Sequence, residues 1–165
     1  MSEMQEKQFG RMSLDLLAKS FYNAVIDVIY TMTGFQVEEK DENIHDNEVF
    51  NDNISGIMVL NGDKLGIITI TVSKSTASQL LMFMTGIAAN ELSDEELYDG
   101  LAELANMIAG SARAQLAETE YFFEISSPFV IAGEQYKFIH KDKVESVKKQ
   151  FSAEDIDVFL QVHYV

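Results

Sequence analysis

The segment covering residues 54–74, ISGIMVLNGDKLGIITITVSK, constrains the fold more than any other part of the chain. Asn61 and Gly62 separate two runs that are rich in Ile, Val, Leu and Thr. An Asn-Gly pair between such runs is the strongest short-range signal of a β-hairpin turn, because both residues tolerate positive φ. The segment therefore predicts two adjacent antiparallel strands with a turn at Asn61 and Gly62.

Helical patterns precede and follow this hairpin. Over residues 14–32 apolar residues recur every three or four positions, which predicts one buried helix face, and Gly34 predicts the end of that helix. Residues 73–86 predict a short second helix. Its side chains expected in the core are Leu80, Leu81, Phe83 and Met84. Ser93, followed three residues later by Glu96, predicts the capping box of a third helix that runs to about Glu118.

Further β-rich runs lie after the first and third helices. A short strand near residue 35 leads into an acidic loop over residues 38–53. In residues 121–140 the runs are broken at Pro128, which favours a strand start, an edge or a bulge, and again at Gly133. Residues 155–165 alternate with period two, as a half-buried strand does. The lysine-rich segment between them, over residues 137–149, is interpreted as solvated surface.

The resulting order of helix, strands, helix, helix and strands predicts an α/β (α+β) fold with a largely antiparallel sheet packed against long helices. Its 165 residues suit a single domain, with residues 1–10 expected to form a flexible tail.

Composition restricts the function. The chain has no cysteine, and its net charge of −15 opposes binding to nucleic acid or to an anionic membrane. No apolar run reaches the length of a membrane span, so we expect a cytoplasmic protein. His45, His140 and His163 are too scattered to form a metal-ligand motif. We therefore expect no metal and no cofactor bound by this chain.

The stretch over residues 99–110, DGLAELANMIAG, places polar groups within the third predicted helix. Asp99, Glu103, Asn106 and Gly110 lie at about 180–240° from Leu97 around the helix axis, opposite the apolar stripe. Gly110 leaves room there for another molecule. A polar helix face usually means only solvation. However, the two interior glycines each cost roughly 1 kcal/mol relative to alanine, which solvation alone does not require.

Three segments, ISGIMVLNGDKLGIITITVSKSTASQLLMFMTG, DGLAELANMIAGSARAQL and SSPFVIAG, resemble in order the CheX branch of the CheC/CheX/FliY family of bacterial chemotaxis phosphatases. The most specific part is an acidic residue followed by Glu and Asn at spacings of four and three, with a proline further on. These are Asp99, Glu103, Asn106 and Pro128. The resemblance implies a CheC-like layered domain that dephosphorylates a phospho-aspartyl CheY-like response regulator, a hydrolase activity.

The resemblance also implies roles for these residues. Glu103 would contact the active-site lysine of the regulator and anchor the complex, while the amide of Asn106 would orient the attacking water. Asp99 and Pro128 would position and shape the site. An acyl phosphate has a good leaving group, so placing the water is the main task, with charge stabilised by Mg²⁺ on the regulator.

Two other functions remain open from the sequence. The chain could be a docking module of the same fold that binds a regulator or signalling partner without catalysis. The polar face of the third helix could instead be an oligomer interface. The resemblance itself implies a homodimer through sheet edges, with the strand 155–165 or a hairpin edge as candidates. The first helix lacks a Glu followed three residues later by Asn, which predicts one site per chain.

Overall fold

The computed structural model describes residues 3–40, 52–134, 136 and 144–164, and side chains of the first helix at Met4 and from Leu14 onward. The helices are α1 (Glu3–Thr33), α2 (Lys74–Thr85) and α3 (Asp94–Gln115). The strands are β1 (Glu38–Lys40), β2 (Asn53–Gly62), β3 (Leu65–Ser73), β4 (Phe123–Ile125), β5 (Phe129–Gly133), β6 (Glu145–Ala153) and β7 (Ile156–Tyr164). Most of the predicted acidic loop, together with His45 and His140, lies outside the described residues.

The described strands form one sheet in the order β1-β6-β7-β3-β2-β4, with β5 pairing the same side of β2 as β4. Every pairing between them is antiparallel. The three helices pack on one face of this sheet, because alternate residues of β2, β3 and β7 share a single apolar core with α1, α2 and α3. The predicted α+β class and the largely antiparallel sheet are therefore confirmed.

The ends of the helices follow local sequence signals. Gly34 and Gly86 adopt φ of +80° and +75° and end α1 and α2. Their N–H groups donate to the carbonyls of Tyr30 and Met82. Glycine accepts this left-handed conformation without a Cβ penalty. The third helix ends at Gln115, three residues before the predicted Glu118.

The N-terminus and the second helix differ from expectation. Residues 3–10, predicted to be a tail, belong to α1. Glu, Gln, Met and Lys favour helix by propensity alone, without the apolar repeat on which the prediction rested. Phe83, predicted to lie in the core, is 50% exposed and packs edge-on against Phe35 at 4.8 Å between ring centroids.

The hairpin turn lies two residues later than predicted. Asn61 pairs with Leu65, so the loop is centred on Asp63. Asn61 and Gly62 remain extended because they pair with Glu124 and with the start of β4. The two residues therefore do not need the positive φ that the Asn-Gly signal predicts. A Cβ on Gly62 would lie 2.7 Å from the carbonyl oxygen of Phe122, so glycine allows a close approach here rather than a turn.

The terminal strand is central rather than peripheral. β7 pairs with β3 on one side and with β6 on the other, and both hairpin strands are likewise paired on each side. The proposed dimer edges at residues 155–165 and at the hairpin are therefore wrong. Residues 137–143 of the lysine-rich segment lie outside the described residues, whereas residues 145–149, predicted to be solvated surface, belong to β6. Lys149 lies in β6, 3.3 Å from the carboxylate of Glu39 and over the ring of Tyr22.

None of the helices in the described part of the chain combines the length and the apolar composition that crossing a bilayer requires.

Candidate functional site

Helix α3 begins at a complete capping box. The side chain of Ser93 accepts a hydrogen bond from the N–H of Glu96, and the Glu96 carboxylate accepts one from the N–H of Ser93 at 2.7 Å. The Glu96 carboxylate also accepts a hydrogen bond from the hydroxyl of Ser93 at 2.8 Å, and the bonds that it accepts, first from the N–H and then from the hydroxyl of Ser93, lower the pKa of Glu96. Two N–H groups at the start of the helix are thereby satisfied.

Small residues hold α3 close to its neighbours. A Cβ on Gly56 of β2 would lie 2.8 Å from the carbonyl oxygen of Leu101 and 3.0 Å from the Cβ of Ala105. A Cβ on Gly100 would lie 2.4 Å from the side chain of Leu81 in α2. Both glycines therefore permit contacts that alanine would obstruct. This packing fixes the face that α3 turns away from the core.

That outward face carries the predicted site, and we call Asp99, Glu103, Asn106 and Gly110 the ridge. Asp99 and Glu103 are exposed, while Asn106 and Gly110 are partly exposed. Within the described residues, the structure gives none of the three polar side chains a hydrogen bond or an ion pair. A Cβ on Gly110 would meet nothing within 4 Å. The four residues of the ridge thus lie together on the outward face of α3, and none of them is buried.

Pro128 lies in a bulge beside α3. Leu60 of β2 pairs with Ile125 of β4, and Ile57 of β2 pairs with Phe129 of β5. Two residues of β2, 58 and 59, therefore lie opposite three residues, 126–128. One extra residue is therefore inserted between β4 and β5. Such insertions form β-bulges, which are common next to active sites. Proline is tolerated in such a segment because it has no N–H to pair.

The register fixes where this bulge lies along α3. Near one end of β2, Gly56 contacts Leu101 and Ala105, while at the other end Gly62 pairs with Phe123, whose carbonyl oxygen accepts a hydrogen bond from Arg113. Residues 126–128 follow β2 between these two points. They therefore lie level with the part of α3 that carries Asn106 and Gly110. The register thus places Pro128 at the level of Asn106 and Gly110 along β2, on a different element.

Comparison with known proteins identifies the family of the chain. The sequence profile of the family described as chemotaxis phosphatase CheX matches residues 54–152, which include α3 and the bulge. The chain belongs to the CheX family. No curated protein sequence matches it.

Solved structures share the CheX fold over nearly the whole chain. A chemotaxis protein CheX from Desulfovibrio desulfuricans is 27% identical with a TM-score of 0.76, covering 90% of this chain and 99% of that one. CheX from Vibrio vulnificus is 24% identical with a TM-score of 0.78, over 90% and 96% of the two chains. A CheX–CheY–BeF3–Mg²⁺ complex from Borrelia burgdorferi contains a match of 23% identity and TM-score 0.69, over 88% and 94%. The predicted CheC-like layered architecture is confirmed.

Sequence patterns alone did not single out Arg113. It lies three residues after Gly110, at about 160° from Leu97, which is next to the 180–240° range of the ridge around the helix axis. Helical periodicity therefore could have shown that Arg113 lies on nearly the same face. Its partners come from a different segment, which no local pattern connects to α3. Among the described residues, no group of three or more His, Cys, Asp and Glu side chains is arranged to hold a metal ion.

Proposed function

We propose that this CheX-family protein is an aspartyl-phosphate phosphatase that acts on a phosphorylated CheY-like response regulator. The observation that carries the proposal is the ridge: an acid, an acid and an amide aligned on one outward helix face without protein partners among the described residues. Unpaired polar groups in such an array are available to a partner. The family match and the CheX–CheY complex from Borrelia burgdorferi support that choice of partner.

Asn106 has the chemistry for orienting water. Its amide offers one acceptor and two donors and needs no change of protonation state. The oxygen can accept a hydrogen bond from the attacking water, while the NH₂ group can donate to the phosphoryl oxygens. The water oxygen then bonds to phosphorus as the bond to the aspartyl oxygen breaks, which leaves a carboxylate on the regulator and releases inorganic phosphate carrying both protons of the water. Positioning of this kind supplies much of the rate when the leaving group is good.

Glu103 is proposed as the anchor. A carboxylate from a protein of net charge −15 is repelled by an anionic phosphoryl site unless a cation meets it. The active-site lysine of the regulator is the cation that we expect. Mg²⁺ is expected on the regulator rather than on this chain. Asp99 and Pro128 would flank the contact, and Gly110 would let the partner approach the helix.

The decisive experiment follows the decay of a phosphorylated CheY-like regulator from the same organism in Mg²⁺, alone and with the wild-type protein. We expect the wild type to accelerate decay and Asn106→Ala to abolish the acceleration while preserving most binding. Glu103→Gln should weaken binding. Matched controls on the same helix are Gln115→Ala, an exposed amide, and Glu95→Gln, an exposed acid, which should behave as wild type.

Each contrary result has a definite meaning. If the wild type binds the regulator without changing its decay, the protein is a docking module and the ridge only makes contacts. If an oligomer protects Glu103 and Asn106 from solvent, the ridge is a subunit interface. Either result overturns the proposed phosphatase.

We also propose a cytoplasmic homodimer, in keeping with such a partner. In the described sheet the outer strands are β1 on one side and β4 with β5 on the other. β5 is the more suitable, because its five residues, FVIAG, carry no charge to oppose pairing. Sedimentation velocity should show a dimer that Ala132→Lys weakens. A wild-type monomer at all concentrations would exclude the dimer.

A further inference from the structure

The side chain of Arg113 contacts three consecutive residues, Phe122, Phe123 and Glu124, at the start of β4. Its Nε donates a hydrogen bond to the carbonyl oxygen of Phe123 at 3.1 Å, and its Nη2 lies 2.7 Å from a carboxylate oxygen of Glu124. The guanidinium also lies over the ring of Phe122, 5.0 Å from its centroid. We call Arg113, Phe122, Phe123 and Glu124 the clamp.

The clamp is joined to the bulge by continuous strand pairing. Beyond β4, the N–H of Ser126 donates to the carbonyl of Val59 at 3.0 Å, and its hydroxyl accepts from the N–H of Val59 at 2.9 Å. Residues 123–126 are therefore held against β2 up to the bulge. Where Phe122 approaches Gly62, the contact is close enough to exclude a side chain. The segment between the residues that Arg113 contacts and Pro128 is therefore restrained by hydrogen bonds along most of its length.

We propose that Arg113 is a positioning residue for the reaction proposed above, on which this inference rests. By tying α3 to β4, it holds the bulge at residues 126–128 at a fixed distance from Asn106. The regulator then meets the ridge and the bulge as one rigid surface. Because Glu124 and Phe123 already occupy its guanidinium, Arg113 acts through β4 rather than by touching the phosphoryl group.

Only arginine can make these three contacts together. The planar guanidinium donates hydrogen bonds to two acceptors along its edges while its flat face stacks on an aromatic ring. The ammonium group of lysine is a compact charge that cannot make all three contacts at once. The ion pair with Glu124 is exposed, with 37% and 63% of the two side chains accessible, so charge alone contributes little to stability. The geometry of the clamp, rather than its electrostatic energy, is what the site would use.

The test measures kcat and KM toward the phosphorylated regulator for Arg113→Lys and Arg113→Gln. We expect kcat to fall by about ten- to a hundredfold, since small misplacements have effects of that size. KM should stay close to the wild-type value, because the Glu103 anchor is untouched. Arg113→Lys should not rescue the rate. Amide NMR signals of Ser126 and Ser127 should shift in both variants.

A matched ion pair at the opposite end of α3 provides the control. Lys74 and Asp94 approach to 2.7 Å with similar exposure, so Lys74→Gln removes a comparable pair far from the bulge. It should leave kcat unchanged. If the Arg113 variants fold poorly, Phe122→Leu removes only the stacking surface of a partly exposed ring and should still lower kcat.

The outcomes separate this inference from the proposed function. Wild-type kcat in the Arg113 variants, with Asn106→Ala inactive, overturns the positioning role and leaves the phosphatase intact. A raised KM at unchanged kcat also overturns it, because Arg113 would then contact the regulator directly. A wild-type protein that fails to accelerate decay overturns the proposed function and the positioning role with it. If the wild type accelerates decay and Asn106→Ala is equally active, the role of Asn106 and the positioning role are overturned, but the phosphatase activity is not.

Discussion

Two glycines of α3 have different physical roles although they lie on the same helix. Gly100 faces Leu81 of α2, and its missing Cβ makes room for that buried side chain. Gly110 faces open space. Packing therefore explains why position 100 is glycine. From the sequence alone, both Gly100 and Gly110 only lowered the stability of the helix relative to alanine, without a stated reason. Gly110 keeps the interpretation that it leaves room for a partner.

Alanine at these two positions should have opposite effects on stability. Gly110→Ala should raise the free energy of unfolding by about 0.5–1 kcal/mol, because helical alanine is favoured and its Cβ meets no atom. Gly100→Ala should lower it by about 1–3 kcal/mol through overpacking against Leu81. Urea denaturation checks both. If Gly110→Ala also slows the dephosphorylation of a regulator despite its greater stability, close approach of the partner is supported. Equal stability of the two variants would contradict these assignments.

At the scale of the element, α3 is specified at its start by local chemistry and along its length by packing. The capping box forms as the sequence predicts, because Ser93 and Glu96 need only each other. The ridge faces outward because the opposite side of α3 is buried against α1, α2 and β2. Local chemistry thus sets where the helix starts, and burial sets its rotation.

Removing the cap should destabilise the protein in a pH-dependent way. Ser93→Ala should lower the free energy of unfolding by about 1 kcal/mol at neutral pH. Hydrogen bonds from Ser93 lower the pKa of Glu96 below its unfolded value, so their contribution is present at neutral pH. It is lost as pH falls through the folded pKa. Chemical denaturation between pH 7 and pH 3 should therefore show the difference from wild type shrinking, whereas a constant difference would exclude a contribution from the hydrogen bond between the Ser93 hydroxyl and the Glu96 carboxylate.

At the scale of the whole molecule, the order of strands in the sheet determines which strands are central and contribute most to the core. β7 is the last described strand in the chain, yet it lies between β3 and β6. Its Leu160 and Val162 are fully buried against the helices. β7 therefore supplies side chains to the core between the three helices and the middle of the sheet.

Two matched leucine substitutions test this order. Leu160→Ala in β7 should lower the free energy of unfolding by about 2–5 kcal/mol, as expected for a buried leucine. Leu65→Ala in β3 removes a side chain that is 52% exposed and should change stability by no more than about 0.5 kcal/mol. Equilibrium unfolding in urea distinguishes them. Similar losses in the two variants would contradict a central position for β7.

The sequence by itself determined the features that depend on neighbours along the chain. The capping box, the Gly34 and Gly86 helix ends, the strand start after Pro128 and the angular alignment of the ridge all follow from local bonds or helical periodicity. The motif of Asp99, Glu103 and Asn106 was visible for the same reason, since four- and three-residue spacings fix its geometry on any α-helix.

Only the tertiary structure decided the features that depend on distant partners. Pairing with β4 holds Asn61 and Gly62 extended and moves the turn to Asp63, overriding a strong local signal. Long-range pairing places β7 in the middle of the sheet, and the change of register at Pro128 sets the bulge beside α3. Arg113 meets Glu124 for the same reason. Sequence periodicity fixes the face on which a side chain lies, whereas the sheet register fixes what it meets there.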